Sequence, residues 1–277
     1  MPFGRRPWAD NDGMIDVEAM IRDAGAAGGV TGAIFDLIGG DPHRPRLVWY
    51  GSGRTELSGA SLMNWSAKTA GLLVDELGAR PGDTVLWRVH RSWQGLPLLL
   101  GCWWAGLVVS DDESLAGEAI AAFVDDDGES DAEEVIVASP HPFGLAVADL
   151  PPGLRSVADA VLPQADRFVP RVPGPAADSP AVITPAGVVT VRELIERVGA
   201  SAAAVAGHGV VLSAAVPDLP DGVCAGPLAA WATGGTLVQL GADAGVAAEP
   251  TALARVAADE RATVTIGVDV EGVRRIG

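Results

Sequence analysis

Short apolar runs alternate with longer amphipathic segments along most of this chain. The apolar runs are four to six residues long and rich in valine, and the segments between them carry apolar side chains at helical spacing. Runs of this kind are typical of strands that are buried on both faces of a parallel sheet, with helices covering those faces. The pattern therefore predicts an α/β fold of mainly parallel βαβ units.

The individual elements can be assigned in chain order. Ser58 is placed to cap a helix that ends near Leu77, and Thr190 with Glu193 forms a capping-box pattern that opens a helix to about Ala206. The predicted strands cover residues 34–38, 47–50, 84–89, 107–109, 134–138, 181–184, 188–189, 209–214, 236–240 and 262–267. The other predicted helices cover residues 16–27, 93–105, 115–123, 221–232 and 251–260.

Six prolines fall between positions 163 and 185. Prolines at this density favour a stiff, extended segment, so we place an internal boundary there. The expected organisation is a first α/β lobe over residues 14–168, a proline-rich linker over residues 169–180 and a second α/β lobe over residues 181–277. The polar stretch up to about Gly13 is expected to be frayed.

Composition restricts the partners of this chain. Its 277 residues include 19 Lys plus Arg against 36 Asp plus Glu, which gives a formal net charge of −17. Nucleic acids and anionic membrane surfaces both attract clustered basic side chains, so neither is expected as a partner. No apolar run is long enough to span a bilayer, and residues 1–13 lack the apolar core of a signal peptide. We therefore expect a cytoplasmic protein.

Most familiar signatures of an active site are missing from the sequence. Cys102 and Cys224 lie far apart in apolar segments, so we expect two buried free thiols and not a metal site. The acidic loop at residues 125–134 lacks the alternation of a calcium loop and is interpreted as a solvated surface. His90 and Asp111 follow predicted strands, where α/β folds place their chemistry. An unrelated α/β enzyme that uses either residue is therefore one hypothesis.

Tryptophan is unusually frequent, with eight Trp against one Tyr and five Phe. Trp93, Trp103 and Trp104 fall on one predicted helix, but helical spacing does not place all three on the same face. At least one of them should face a loop or a neighbouring helix. A role in the core is one interpretation, and a flat apolar ligand pocket is the alternative.

Residues 55–111 and 229–267 carry short motifs between the predicted elements. In order they are Leu77-Gly78, Pro81-Gly82-Asp83, Val85, Ala105-Gly106, Asp111 and Gly234-Gly235-Thr236-Leu237-Val238. In order and spacing these motifs resemble the N-terminal region of the adenylate-forming superfamily, the AMP-dependent synthetases and ligases that include acyl-CoA synthetases. The resemblance covers about four-fifths of the chain and implies two α/β lobes like those of that region.

The departures from the family's pattern concern its chemistry. Members of the family hold the ATP phosphates with a Ser/Thr/Gly-rich loop that ends in Pro-Lys-Gly, but the matching residues 181–188 are fewer and contain no lysine. The chain also ends near Gly277, where the family would continue with its adenylate-contacting segments. Thr184, Gly187 and Arg192 are the remaining candidates for cofactor binding, and no catalytic residue or metal ligand is predicted.

Two further hypotheses follow from the resemblance. The first is a non-catalytic protein, resembling a truncated AMP-binding or acyl-CoA synthetase domain, that acts by binding a ligand or a protein. ATP, AMP or CoA is implied as a ligand by the resemblance alone, and an uncovered apolar surface would favour a homodimer or a partner protein. The alternative is an active AMP-forming acid ligase, with arginine in place of lysine or with a partner chain that supplies the missing domain.

Overall fold

The structure is a computed structural model that describes Asp16, Ala19 and residues 29–276, apart from the side chains of residues 33, 36, 37 and 243. The stretch up to Gly13 and, except for Asp16 and Ala19, the predicted helix over residues 16–27 lie outside the described residues. The described residues form two sheets, one of six strands and one of seven.

The strands are β1 (Pro45–Tyr50), β2 (Arg54–Ser58), β3 (Thr84–Arg88), β4 (Val108–Ser110), β5 (Ala121–Val124), β6 (Val135–Val137), β7 (Leu154–Ser156), β8 (Pro180–Thr184), β9 (Gly187–Thr190), β10 (Val210–Ser213), β11 (Thr236–Leu240), β12 (Val264–Ile266) and β13 (Arg274–Ile276). The described α-helices are α1 (Val30–Gly40), α2 (Gly59–Gly71), α3 (Gly95–Trp104), α4 (Val157–Ala160), α5 (Val191–Val205), α6 (Asp221–Val223), α7 (Ala229–Ala232) and α8 (Pro250–Asp259). Five-residue π-helical turns continue α2 (Leu72–Glu76) and join α6 to α7 (Cys224–Leu228). Single 3₁₀ segments cover Glu113–Glu118, Ala242–Ala244 and Val246–Ala248.

The seven-stranded sheet has the order β7-β6-β5-β3-β4-β8-β9. Every neighbouring pair in it is parallel except β8 and β9, which form an antiparallel hairpin. All four residues of β5 are buried, as expected for a parallel strand that is covered on both faces. Because β3 to β8 run in one direction, their last residues meet at a single edge, which we call the carboxyl edge; the opposite one is the amino edge.

The six-stranded sheet has the order β13-β12-β10-β11-β1-β2 and is parallel except for the pair β1 and β2. In it β1 pairs with β11, so that Leu47 lies opposite Leu237. In the other sheet β8 pairs with β4, and Val182 lies opposite Val109. The sheets therefore do not follow the predicted division at residues 169–180, because proline content reports the stiffness of a segment and not the partners of its flanking strands.

The largest cluster of buried apolar side chains combines residues of both sheets with residues of the seven helices α1 to α7. Two buried tryptophans of this core also satisfy backbone acceptors. The indole N–H of Trp87 donates to the Gly95 carbonyl oxygen at 2.8 Å, and that of Trp231 donates to the Arg46 carbonyl oxygen at 2.8 Å. Among the described residues, no helix has both the length and the apolar character needed to cross a bilayer.

The predicted caps of the two main helices are confirmed. Ser58 Oγ accepts the Ser61 N–H at 3.2 Å at the start of α2. At the start of α5, Thr190 Oγ1 accepts the Glu193 N–H at 3.2 Å, and a Glu193 carboxylate oxygen accepts the Thr190 N–H at 2.8 Å. Both exchanges satisfy backbone donors that the first helical turn leaves unpaired.

Two predicted elements are wrong. Residues 34–38 were predicted as a strand but lie inside α1, where Ile34 and Ile38, one helical turn apart, both enter the core. Residues 115–123 were predicted as one helix, but a 3₁₀ segment ends at Glu118 and β5 begins at Ala121. Short apolar runs fit either period, so periodicity alone does not distinguish a buried strand from a buried helical turn.

Candidate functional site

The carboxyl edge of the seven-stranded sheet gathers the polar residues that follow its central strands. His90 and Arg91 follow β3, Asp111 follows β4, Asp125 follows β5, and the β8–β9 turn follows β8. In open parallel sheets, ligands bind in the crevice outside the carboxyl ends of the strands. We therefore take this edge as the candidate functional site.

The β8–β9 turn contains two of the residues predicted for cofactor binding. Thr184 pairs with Gly187, so only Pro185 and Ala186 separate the two strands. Thr184 Oγ1 accepts the Ala186 N–H at 3.2 Å and donates to the Gly187 carbonyl oxygen at 3.4 Å. Proline has no N–H, and the Ala186 N–H already has its acceptor. The turn therefore lacks the converging backbone N–H groups that cradle a phosphate.

Arg192, the third predicted residue, lies away from this turn. Strand β9 runs back from the turn, so α5 begins beside the amino end of β8. There Arg192 Nε donates to Asp178 Oδ1 at 3.1 Å, and its backbone N–H donates to the Ala177 carbonyl oxygen at 2.8 Å. Four strand residues at about 3.3 Å each place it roughly 13 Å from the turn. The structure thus brings Thr184 and Gly187 together and separates Arg192 from them.

Lys68, the one lysine of the chain, is held within the scaffold. It lies on α2, and its Nζ is 2.9 Å from Asp166 Oδ1. The same Nζ donates to the Leu162 carbonyl oxygen at 2.9 Å and to the Gln164 carbonyl oxygen. An ammonium group has three hydrogens, so its donors are all engaged in joining α2 to the segment that follows α4.

Asp125 organises the loop that follows β3. Its buried carboxylate accepts the His90 N–H at 3.0 Å and the Arg91 N–H at 3.1 Å. Burial raises the pKa of Asp125, and the two backbone hydrogen bonds and Arg91 oppose that rise. Arg91 also contacts Asp126 at 3.0 Å and Asp127. The acidic loop, interpreted above as solvated, is thus joined to the loop after β3 by one shared guanidinium.

His90 and Asp111, which the sequence analysis singled out as strand-end residues, interact at this edge. Among the described residues, His90 Nδ1 and Asp111 Oδ1 are buried atoms without a hydrogen-bond partner. Burial lowers the pKa of His90, and the carboxylates of Asp125, Asp218 and Asp111 oppose the change. Burial also raises the pKa of Asp111. These directions favour a neutral imidazole at neutral pH.

Asp218 is a site residue that the sequence analysis missed. It lies in the loop after β10, in the six-stranded sheet, and is close enough to influence the pKa of both His90 and Asp111. The carboxyl ends of the two sheets therefore meet here. The rule that selected His90 and Asp111, a polar residue shortly after a predicted strand, also fits Asp218, which comes four residues after the predicted strand 209–214.

An open cavity of about 460 Å³ adjoins these loops. It is lined by Arg88, Val124, Asp125, Asp127, Gly128 and Glu129. The single guanidinium, that of Arg88, is 3.0 Å from Glu113 and also donates to the Glu129 carbonyl oxygen. Three carboxylates against one paired cation give this cavity a field that repels anions. Among the described residues, no group of three or more His, Cys, Asp or Glu side chains is arranged to hold a metal ion.

No known protein-family profile matches this sequence. A protein of Mycobacterium tuberculosis (strain ATCC 25618 / H37Rv) with the name TIGR03089 family protein is 36% identical over 226 residues, and the match covers 76% of this chain and 89% of that protein. Its name states no activity.

Solved structures of ligases share the fold. Coronafacic acid ligase from Pectobacterium brasiliense matches with a TM-score of 0.68 and 12% identity over 86% of this chain and 49% of its own. A benzoate CoA ligase from Burkholderia xenovorans LB400 gives 0.64 and 17%, over 86% and 50%. Brucella canis acyl-CoA synthetase gives 0.66 and 17%, over 92% and 56%. The chain thus spans about half the length of these ligases, and the α/β fold implied by the resemblance is confirmed.

Proposed function

This chain belongs to the TIGR03089 family, and we propose that it is a non-catalytic relative of the adenylate-forming ligases that acts by binding a ligand or a partner protein. The β8–β9 turn carries the proposal. It occupies the position at which the resemblance places the phosphate-binding loop, and it joins its two strands through Pro185 and Ala186 alone.

A bound triphosphate needs several N–H and hydroxyl donors together with positive charge, because its own charge must be compensated when water is removed. In the turn, Pro185 supplies no donor, the Ala186 N–H is engaged by Thr184 Oγ1, and the Thr184 hydroxyl donates to the Gly187 carbonyl oxygen. These contacts support a turn that closes on itself.

Three cations that could have served a phosphate site are engaged away from the turn, which supports the same proposal. Lys68 and Arg192 bind oxygens elsewhere in the scaffold, and Arg91 binds the acidic loop. Asp111 and Asp125 lie at the carboxyl edge instead, and carboxylates oppose the negative charge that develops in phosphoryl and acyl-adenylate transfer.

Pyrophosphate release tests this proposal. The protein is incubated with ATP, Mg²⁺ and a panel of carboxylic acids, with the Burkholderia xenovorans benzoate CoA ligase and benzoate as the positive control. We expect no acid-dependent release above the rate without protein. Acid-dependent release that the Thr184→Val variant loses would instead establish the alternative, an active AMP-forming acid ligase, and release that requires a second purified chain would establish its partner-completed form.

Thermal unfolding with ATP separates binding from turnover. A ligand at 100 times its Kd stabilises a protein by about 2.7 kcal/mol, which raises the melting temperature by several degrees. We expect ATP and AMP at millimolar concentration to leave the melting temperature unchanged. A clear rise with ATP that Thr184→Val removes would contradict the loss of the phosphate site.

Partner binding and location are part of the proposal. Phe143 and Leu145, on the loop after β6, are 82% and 58% exposed, and exposed apolar patches are typical of interaction surfaces. We propose that they contribute to a homodimer or to a partner interface; strict monomers in light scattering and no bound protein after crosslinking in cells would contradict this.

The free, buried Cys102 and Cys224 fit the reducing cytoplasm, which cell fractionation tests.

A further inference from the structure

A groove at the amino edge of the seven-stranded sheet takes no part in the function proposed above. It has a volume of about 340 Å³ and is lined by residues 78–81, 104–106 and 170–174 together with Val74 and Phe168. We call it the amino-edge groove. Its three stretches precede β3, β4 and β8 respectively, and its volume falls within the range of small-molecule sites.

The amino-edge groove is distinct from the candidate functional site. β3 has five residues, and at about 3.3 Å per residue the two edges of the sheet lie roughly 16 Å apart. A small ligand in the groove therefore does not reach His90 or the β8–β9 turn. The two sites can be tested independently.

Fixed aromatic rings form one wall of the groove. The Trp104 ring lies edge-on to Phe35, with centroids 4.5 Å apart, and edge-on to Phe168, with centroids 5.8 Å apart. Its neighbour Trp103 is buried instead, and donates its indole N–H to the Ala181 carbonyl oxygen at 3.1 Å. Of the three tryptophans on the predicted helix, Trp104 is thus the one that lines this groove.

The charge of the groove is opposite to that of the chain. Arg80 and Arg171 line it and no Asp or Glu does, although acidic residues outnumber basic ones by 36 to 19. Arg171 contacts Asp75, which lies outside the lining. The carboxylate of Asp83 accepts a hydrogen bond from the backbone N–H of Arg80 at 2.7 Å, which leaves the Arg80 guanidinium out of this contact. Within the described part of the chain, the Arg80 guanidinium enters no ion pair.

We propose that the amino-edge groove binds a small, flat aromatic anion. Its ring packs against Trp104 and Phe168, where aromatic rings gain from edge-to-face contact. Its anionic group meets the Arg80 guanidinium, whose planar donors match a carboxylate or a similar oxyanion. The size of the groove, its aromatic wall and its lack of carboxylates all select for this class of ligand.

Isothermal titration calorimetry with 2-naphthoate tests the proposal, with the neutral 2-naphthamide as the matched ligand. We expect saturable binding of one 2-naphthoate per chain with a Kd below about 1 mM, an ordinary affinity for a ligand of this size. Arg80→Gln should weaken 2-naphthoate about two- to fivefold, which corresponds to the upper range of an exposed ion pair. The amide should bind wild type and Arg80→Gln equally.

The controls locate the binding. Arg167→Gln removes an exposed guanidinium that adjoins Phe168 in sequence but does not line the groove, so it should leave the Kd unchanged. Phe168→Ala should weaken both ligands, and circular dichroism establishes that each variant is folded. Absence of binding up to 1 mM, equal affinities for 2-naphthoate and the amide in wild type, or a Kd that neither Arg80→Gln nor Phe168→Ala changes would overturn the proposal.

Discussion

Tyr50 is the one tyrosine of the chain, so its titration reports how distant parts of the sequence come together. It lies on β1, and its hydroxyl donates to Glu260 Oε1 at 2.7 Å. Arg54 Nε, on β2, donates to the same oxygen at 2.7 Å. Glu260 directly follows α8, so these contacts fix the β1–β2 hairpin to a helix that lies 210 residues further along the chain.

The magnitude of the effect follows from these contacts. Burial and the hydrogen bond to Glu260 raise the pKa of Tyr50 from 10.0 to about 12, and Arg54 opposes the rise. The difference, 12 − 10 = 2, corresponds to about 2.7 kcal/mol between the two protonation states. Because the ring is only partly buried, solvent screening reduces its contribution to the free energy of unfolding to about 1 kcal/mol. Glu260→Gln removes the charge of Glu260 but not the burial of the ring, so it should lower the titration midpoint of Tyr50 by part of the difference between about 12 and 10.0.

The sign of the pH dependence is set by the direction of the shift. The phenol is an acid whose pKa is raised by folding, so its stabilising contribution is complete below the unfolded pKa, 10.0. The contribution is then lost as the pH rises through the folded pKa of about 12. We therefore expect the extra stability of wild type over Glu260→Gln to disappear across this window.

The assay is a spectroscopic titration of the phenolate, with circular dichroism at each pH to establish that the protein is folded. Glu56→Gln is the matched control, because Glu56 accepts from Arg54 Nη2 at 2.6 Å without a bond to Tyr50; its midpoint should stay near that of wild type. A wild-type midpoint near 10 in the folded protein, or equal midpoints in wild type and Glu260→Gln, would refute the reasoning.

Three further changes test contacts of the scaffold by urea unfolding. Lys68→Met removes the donor to three oxygens and should lower the free energy of unfolding by about 1–3 kcal/mol; an unchanged value would show that this ammonium is solvated. Asp125→Ala removes the acceptor of two backbone N–H groups and should cost about 2–3 kcal/mol, whereas Asp126→Ala in the same loop should cost less than about 0.5. Gly101→Ala would place a Cβ 2.8 Å from the Ser66 carbonyl oxygen and should cost about 1–3 kcal/mol; a neutral effect would contradict the close packing of α2 on α3.

Elements with local signals could be predicted from the sequence. Both partners of the capping box of α5, Thr190 and Glu193, were predicted correctly, because they lie three residues apart and interact directly. The prediction for residues 236–240 matches β11 at both ends, where glycines precede the strand and follow it. In each case the interaction that defines the boundary lies within a few residues of it.

The assignment of strands to sheets could not be predicted in this way. Leu47 pairs with Leu237, and Val109 pairs with Val182, and periodicity carries no information about partners so far apart. The proline-rich stretch suggested a boundary, yet among the described strands the chain passes from one sheet to the other between β2 and β3 and between β9 and β10. Topology of this kind depends on which apolar faces can be buried together, and that is a property of the whole chain.

The candidate site shows the same limit at shorter range. Arg192 lies five residues after Gly187, which suggested a cation beside the turn. Strand β9 reverses the chain direction, so those five residues carry Arg192 to Asp178 at the opposite edge of the sheet. The sequence predicted a strand at residues 188–189. It did not show which strand this one pairs with, so the direction in which the chain runs after the turn could not be predicted.

The proposed loss of a phosphate-binding loop is compatible with retention of the fold, because the loop and the fold depend on different residues. The largest apolar cluster involves both sheets and seven helices, whereas the turn residues Pro185 and Ala186 lie outside every buried cluster. A two-residue connection also closes a shorter loop, which costs less conformational entropy than a longer one. Selection for stability therefore does not oppose replacement of the loop. An anion-binding site can in this way be lost at one edge of the sheet and arise at the other, while the scaffold stays the same. In this chain carboxylates line the cavity at the carboxyl edge and arginines line the groove at the amino edge, so an approaching anion is repelled at the first and attracted at the second.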